Sequence, residues 1–256
     1  MREREFIAVS FLVLSWFSPC LLSVLRGSVV SSPRTSLKLE FSVRITISKE
    51  NYIKAIAEAE SEGETVKAVT LTRWLHVSAP AVTMAIKRLK RDGLILVAPE
   101  GQITLSAAGR EISARLLNRH HLIERMLTEI FGLEWYKVHD EAEQMEHAVS
   151  ADFERKLAEK LGSGGACPHG NVVGMDSPGD RRRRGWKPLE EARRSERLTV
   201  TSVFERDRRL LELLDGKGIR PGVALEVLST GEDLELSAAG KPVRLDRAVA
   251  AKVWVK

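Results

Sequence analysis

Between Ser78 and Gly109 the chain reads SAPAVTMAIKRLKRDGLILVAPEGQITLSAAG, a helical pattern that stops on a glycine and turns at once into two β-rich runs. Ser78 stands where an N-cap is expected, and Val82, Ile86 and Leu89 recur at helical spacing as one apolar stripe. Gly93 ends the helix as a C′ residue, and Pro99-Glu100-Gly101 is a hairpin signal. Upstream, SKENYIKAIAEAESEG opens on Ser48 as a cap, with Tyr52, Ile53, Ile56 and Ala57 on a helical face. A shorter helix over Thr70 to His76 carries Leu71, Trp74 and Leu75. Helix, helix, short turn, helix and hairpin is the order of a winged helix-turn-helix.

The third of these helices points to DNA. Its outward positions are Ser78, Pro80, Ala81, Thr83, Met84, Lys87, Arg88 and Arg91. Small groups at the N-terminal end fit a major groove and reach base edges or thymine methyls, while the basic end meets phosphates. No long Arg or Gln sits at the tip, so base reading leans on small contacts and DNA shape. The competing reading is a solvated cationic helix of an unrelated small domain.

Composition sets outer bounds. Lys and Arg number 40 against 35 Asp and Glu over 256 residues, an excess that permits a nucleic-acid partner without requiring one. The two cysteines, Cys20 and Cys167, exclude a disulfide framework and a Cys-rich zinc site. Phe6 to Leu25 is an uncharged run of twenty residues, long enough to cross a bilayer as a helix. It reads as a membrane anchor, as a signal peptide, or as translated sequence upstream of the working start. The last fits best, because everything after Ile45 has the pattern of a complete soluble protein. Membrane association is therefore not expected, and the chain is read as cytoplasmic. A membrane-tethered regulator is the alternative if the run is genuine.

The next segment carries metal-ligand chemistry. Ala107 to Gly132 reads as one helix, with His120 and Glu124 at i and i+4 on one face. Val138 to Leu161 reads as a second, long helix. Its His139, Glu143, Glu146 and His147 fall at offsets 0, 4, 7 and 8 along one stripe. Imidazoles and carboxylates in this mixture suit Mn²⁺, Fe²⁺, Co²⁺ or Zn²⁺, and the absence of a thiolate from the stripe favours the harder Mn²⁺. A surface helix laced with charge pairs, and hence a metal-independent winged-helix regulator, is the competing reading. There is no HExxH, no Gly-rich phosphate loop and no Ser or Cys nucleophile with a partner, so neither an enzyme nor a small-molecule substrate is expected.

SKENYIKAI, VSAPAVTMAIKRLKRDGLI, RHHLIERML, KVHDEAEQMEH and CPHGN, in that order, strongly resemble the diphtheria toxin repressor and manganese transport regulator family of metal-dependent repressors. The resemblance covers about Ile45 to Met175 and is weaker beyond. It implies a homodimer that binds a palindromic operator when Mn²⁺ or Fe²⁺ is present and represses metal-homeostasis genes. By that resemblance His120, Glu124, His139, Glu146 and His147 are ligands. Glu143 stands where iron-responsive members have Cys and manganese-responsive members Glu. Asn51 stands where the family has Met or Asp, and offers only an uncharged amide oxygen. Lys54 replaces a family Glu, so the two-metal cluster of the short manganese-type members cannot be copied here. Cys167-Pro168-His169-Gly170 matches the family's turn, and it reads as a structural turn with a free thiol rather than a metal pair.

From Asp176 to Arg197 the basic, Gly- and Pro-containing stretch reads as an exposed linker, with a phosphate-binding arm as the alternative. Short β-runs from Leu198 onward, with one helix over Arg208 to Leu214, suggest an SH3-like barrel resembling the family's third domain. In the family that domain can lend a ligand, for which Glu205 and Asp207 are candidates. The expected fold is thus mainly α with small β. A leader occupies 1–44, a winged helix-turn-helix 45–109, a helical metal-binding and dimerisation domain 110–175, a linker 176–197 and the SH3-like domain 198–256.

Overall fold

The computed structural model describes residues 45–174 and 177–256, so the readings of the first 44 residues, the apolar run included, lie outside the described residues. No helix among the described residues is long and apolar enough to cross a membrane.

Helices α1 (Ile47–Ser61), α2 (Ala68–Leu75) and α3 (Ala79–Arg91) precede an antiparallel hairpin of β1 (Ile95–Val97) and β2 (Ile103–Leu105). Their apolar faces close one core in which Ile53, Ile56, Leu71, Val82 and Leu89 are fully buried. Thr46, not Ser48, is the N-cap residue of α1, and Ser78 holds the N-cap backbone of α3 without a side-chain cap bond. Gly93, at φ +70°, closes α3 in a left-handed conformation that an L side chain resists.

Helix α4 (Ala107–Arg125) begins on Ser106, whose hydroxyl accepts from Gly109 N and donates to Gly93 O. A Cβ on Gly109 would lie 2.1 Å from Leu94 O, so only glycine lets α4 lie this close to the hairpin. The helix expected over Ala107 to Gly132 passes instead into a π-helical turn, Met126–Ile130. The long helix expected from Val138 to Leu161 is broken. Helix α5 (Val138–Met145) ends first, and α6 (Ala151–Leu161) starts afresh on Ser150, which accepts from Phe153 N. Glu146 and His147 thus sit just beyond the end of a helix, free of the stripe geometry. Leu122, Ile123, Met126, Val138, Ala142 and Leu157 form the second core.

The stretch read as an exposed linker is built into the fold. Helix α7 (Pro178–Arg183) is capped by Ser177, and its Arg181 is buried, donating to Asn171 Oδ1 at 3.2 Å and stacked 5.0 Å above the Trp254 ring. Strand β3 (Lys187–Pro188) then joins a six-stranded antiparallel sheet ordered β3-β8-β4-β5-β6-β7. Its other strands are β4 (Arg197–Val203), β5 (Ala224–Thr230), β6 (Asp233–Ala238), β7 (Lys241–Asp246) and β8 (Val253–Val255), with α8 (Arg208–Gly216) and the single turn α9 (Arg247–Ala250) interposed. Leu189, Leu211, Leu214, Leu234 and Leu236 fill this third core. Trp135, from the loop before α5, packs into it and donates to Asp215 Oδ1 at 2.6 Å.

Candidate metal centre and DNA-binding face

The buried polar groups of the middle domain meet where α1, α4, α5 and the β4–α8 connection converge. His120 is the hub. Its Nε2 lies 3.1 Å from Glu124 Oε1 and 3.0 Å from His139 Nδ1, and its Nδ1 lies 2.7 Å from Glu146 Oε2. His120, Glu124 and His139 each place a ligand atom within 4.8 Å of the other two. The i, i+4 spacing on α4 and the first turn of α5 supply all three.

A second set lies on the far side of Glu124. His121, Glu124, Cys167 and Glu205 also bring ligand atoms within 4.8 Å of one another. His169 joins them. Its Nε2 donates to Trp135 O at 2.8 Å, which turns Nδ1 toward Glu124 Oε1 at 3.4 Å and Glu205 Oε2 at 3.5 Å. Asn171 Nδ2 donates to Glu205 Oε2 at 2.6 Å, and the Cys167 thiol points at the same oxygen from 3.3 Å. Gly170, at φ +85°, packs so tightly on β4 that a Cβ would lie 2.0 Å from Thr201 O. The CPHG turn is packed tightly on β4, and it also aims Cys167 and His169 into the cluster, which its reading as a structural turn with a free thiol did not anticipate.

On the α1 side, Lys54 is 4% exposed and donates to Glu146 Oε2 at 2.8 Å, with Glu58 and Glu143 each 3.8 Å away. Arg206 bonds Glu58, lies 3.3 Å from Glu143 Oε1, and stacks 5.0 Å over Trp74 of α2. Glu146 also lies 3.5 Å from His147 Nε2. Of the residues expected from sequence, the fold brings His120, Glu124, His139, Glu143, Glu146, His147 and Glu205 together. It leaves Asn51 exposed, and it uses Asp207 as the N-cap of α8, accepting from Leu210 N at 3.1 Å. Lys54, His121, Cys167, His169 and Arg206 are the participants that sequence reasoning missed or passed over. The one visible signal was the CxH spacing.

The electrostatics follow from burial among carboxylates. Burial and the Lys54 charge both push His120 down, but Glu124 and Glu146 outweigh them and lift it to about 9. His169 is pushed down by burial and lifted to about 10 by Glu124 and Glu205. Glu146 is raised by burial, yet the bond from His120 and the Lys54 charge hold it at about 2. Burial, then Glu205 and Glu124, push the Cys167 thiol well above its ordinary range. Lys54 stays charged because Glu58, Glu146 and Glu143 overcome its desolvation. His120 Nδ1 cannot both donate to Glu146 and accept from Lys54, 2.9 Å away. The carboxylates decide it, and the ring is an imidazolium that donates to Glu146.

These groups fit a divalent cation. Glu124 Oε2, His139 Nε2 and His121 Nδ1 are buried without a hydrogen-bond partner, an arrangement that costs free energy unless something binds there. All belong to the two convergent sets, and the donors are the imidazole and carboxylate that first-row divalent ions prefer.

The outer face of α3 presents Ser78, Pro80, Ala81, Thr83, Met84, Lys87 and Arg88 to solvent, while Val82 and Leu89 face the core. Met84 is 49% exposed, and Leu96 on the hairpin is 61% exposed. A helix with small residues at one end, cations at the other and a wing beside it is a DNA-reading head. Joined to a buried His and Glu cluster, it defines the class of metal-dependent DNA-binding repressors.

Comparison with known proteins agrees. Residues 44–103 match the iron-dependent repressor N-terminal DNA-binding domain, 106–173 the iron-dependent repressor metal-binding and dimerisation domain, and 187–256 the FeoA domain. The diphtheria toxin repressor of Corynebacterium diphtheriae is 32% identical over 206 residues, covering 77% of this chain and 91% of that protein. The iron-dependent repressor IdeR of Mycobacterium tuberculosis is 36% identical over 124 residues, 48% of this chain and 54% of that protein. A solved manganese-dependent transcriptional repressor in complex with manganese superposes with a TM-score of 0.71 at 28% identity, covering 81% of this chain and 99% of that one. The chain belongs to the diphtheria toxin repressor and manganese transport regulator family. It is a metal-dependent DNA-binding repressor that works as a homodimer, and members of the family are transcriptional repressors, not enzymes.

Proposed function

We propose that this repressor is activated by Mn²⁺, with Fe²⁺ as the alternative ion, and that it binds a palindromic operator in the cytoplasm to control genes of metal-ion homeostasis. The observation that carries Mn²⁺ is Glu143. Its carboxylate lies 3.6 Å from His139 Nε2 and 3.8 Å from Lys54 Nζ, the ammonium that also holds Glu146, and the donors gathered there are oxygen and nitrogen without sulfur. Glu143, Glu146 and His147 hold one ion in this reading. His120, Glu124 and His139 hold a second, with Glu205, His169 and Cys167 beside them. The thiol at that second set is the feature that favours a softer ion such as Fe²⁺ there.

A bound divalent ion supplies two positive charges among carboxylates that protons, Lys54 and Arg206 otherwise neutralise. His120 would have to give up its proton to hold an ion, and the protonated His169 beside it would resist the added charge until it lost its own. Glu146, which His120 and Lys54 contact in the structure, would be free to hold the ion, and Lys54 and Arg206 keep α1 and α2 against the middle domain. The two heads of the dimer are thereby held at one spacing, which suits them to two half-sites on one DNA face. Ser78, Pro80, Ala81, Thr83 and Met84 face the bases, and Lys87 and Arg88 the phosphates. Glu146→Ala tests the reading: the variant should remain a folded dimer that binds operator no better with Mn²⁺ than with chelator. A full metal response in that variant would remove Glu146 from the site.

A further inference from the structure

His147 presents its two ring nitrogens to two different domains. Nδ1 lies 3.0 Å from Glu50 Oε2, in the first turn of α1, while Nε2 lies 3.5 Å from Glu146 Oε1 of its own domain. An imidazole carrying one proton is a donor on one nitrogen and an acceptor on the other, and a carboxylate can only accept. With Nδ1–H given to Glu50, the lone pair of Nε2 stands beside Glu146. Histidines that bind metals are held in this way, the second nitrogen donating to a carboxylate that fixes the tautomer and raises the basicity of the first.

The placement follows from the spacing on α1. Glu50, Lys54 and Glu58 lie at i, i+4 and i+8, on one face, and that face meets Glu143, Glu146 and His147. Asn51 is one position on, about 100° around the helix, and is exposed. The helix that carries the DNA-binding head therefore reaches the centre through Glu50 as well as through Lys54.

We propose that Glu50 is a positioning residue for the metal response: it holds His147 in the tautomer that offers Nε2 beside Glu146, and by the same bond it ties α1 to occupancy of the centre. Nδ1–H becomes a stronger donor when Nε2 carries a cation. The α1 contact and metal binding consequently reinforce each other, and by linkage each strengthens the other equally. This rests on the reading above that Glu146 and His147 hold an ion.

The test measures two quantities on the full chain: Mn²⁺ affinity by competition with a fluorescent chelator, and anisotropy of duplex DNA from the region upstream of its own gene. Glu50→Gln should weaken Mn²⁺ binding by about 10-fold. It should shrink the Mn²⁺-induced gain in DNA affinity by the same factor, and leave DNA binding in chelator and the unfolding midpoint unchanged. Glu50→Asp, which keeps the carboxylate charge that Gln lacks, should restore most of the response, and Asn51→Ala should stay within about two-fold of wild type, as surface changes do. Wild-type Mn²⁺ affinity in Glu50→Gln, or an equal loss in Asn51→Ala, overturns the proposal alone. A wild-type chain that binds no Mn²⁺ overturns the metal reading and this proposal together.

Discussion

Lys54 holds its ammonium 2.8 Å from Glu146 Oε2, with both side chains under 5% exposed, so the first helix of the DNA-binding head places a fixed positive charge inside the candidate metal centre. That charge does two things. It neutralises Glu146, Glu143 and Glu58 when no ion is bound, and it opposes an ion that enters.

Lys54→Met should separate these effects. Removing one partner of a buried ion pair leaves the carboxylates uncompensated, a loss of about 3 kcal/mol in the metal-free protein. Mn²⁺ then supplies the missing charge, so its affinity should rise and the stability deficit should shrink on saturation. Urea unfolding with and without Mn²⁺ reads both. A metal-free midpoint equal to wild type would contradict the role given to Lys54.

Arg206 joins three domains, with Glu58 on α1, Glu143 on α5 and the Trp74 ring on α2 as its partners. Arg206→Ala removes one cation–π contact and two charge-assisted contacts, a loss of about 2 kcal/mol at a partly buried site. The effect should be local. Hydrogen exchange should quicken in α1 and α2 and remain at wild-type rates in β5 and β6. Faster exchange spread evenly over the chain would mean that Arg206 supports the third core and not the head.

The pH dependence has a definite sign. His120 and His169 are lifted from 6.5 to about 9 and about 10, so both are protonated at neutral pH before metal enters. Mn²⁺ must displace those protons, and its apparent affinity should rise steadily from pH 6.5 to 9. For the metal-free fold the sign reverses. The two raised histidines contribute stability that is complete below 6.5 and lost as pH climbs through 9 and 10. Glu146, depressed from 4.5 to about 2, contributes stability that is present above 4.5 and lost as pH falls through 2. Mn²⁺ titrations at several pH values check the first part, and a flat profile would contradict it.

Lys87 and Arg88 are exposed on α3, four and five residues beyond Thr83. Replacing each by Ala should weaken binding to every DNA duplex alike and reduce the salt slope by about one per residue. An effect confined to one operator sequence would assign them to base reading instead.

The three domains were legible because their signals are local. The apolar stripe of α3, the Gly93 stop and the Pro99-Glu100-Gly101 turn each fix a conformation through neighbouring residues. The pairing of His120 with Glu124 was legible for the same reason. What escaped depends on distant contacts. Arg181 begins a run of four arginines and looks like surface, yet it is buried under Trp254. Strand β3 is two residues long and exists only because β8 lies beside it. The break between α5 and α6 turns on Ser150 as a cap, a signal hidden inside an otherwise continuous helical pattern. Lys54 shows in the sequence only as a departure from the family's Glu, Arg206 gives no signal, and only the packing of α1 against α5 and of the β4–α8 connection against both makes them part of the centre. Asn51, expected at the centre by resemblance, faces out because the inward face of α1 runs through Glu50 and Lys54.

Operator binding with and without metal tests the central claim most directly. Fluorescence anisotropy of the full chain on DNA from the gene's own promoter should show tight binding in Mn²⁺ and loss of binding in chelator. Fe²⁺ under anaerobic conditions and at matched free concentration should be the weaker activator. Equally tight binding in chelator would contradict the account, and would leave the buried His and Glu cluster as a structural feature of a winged-helix regulator that needs no metal.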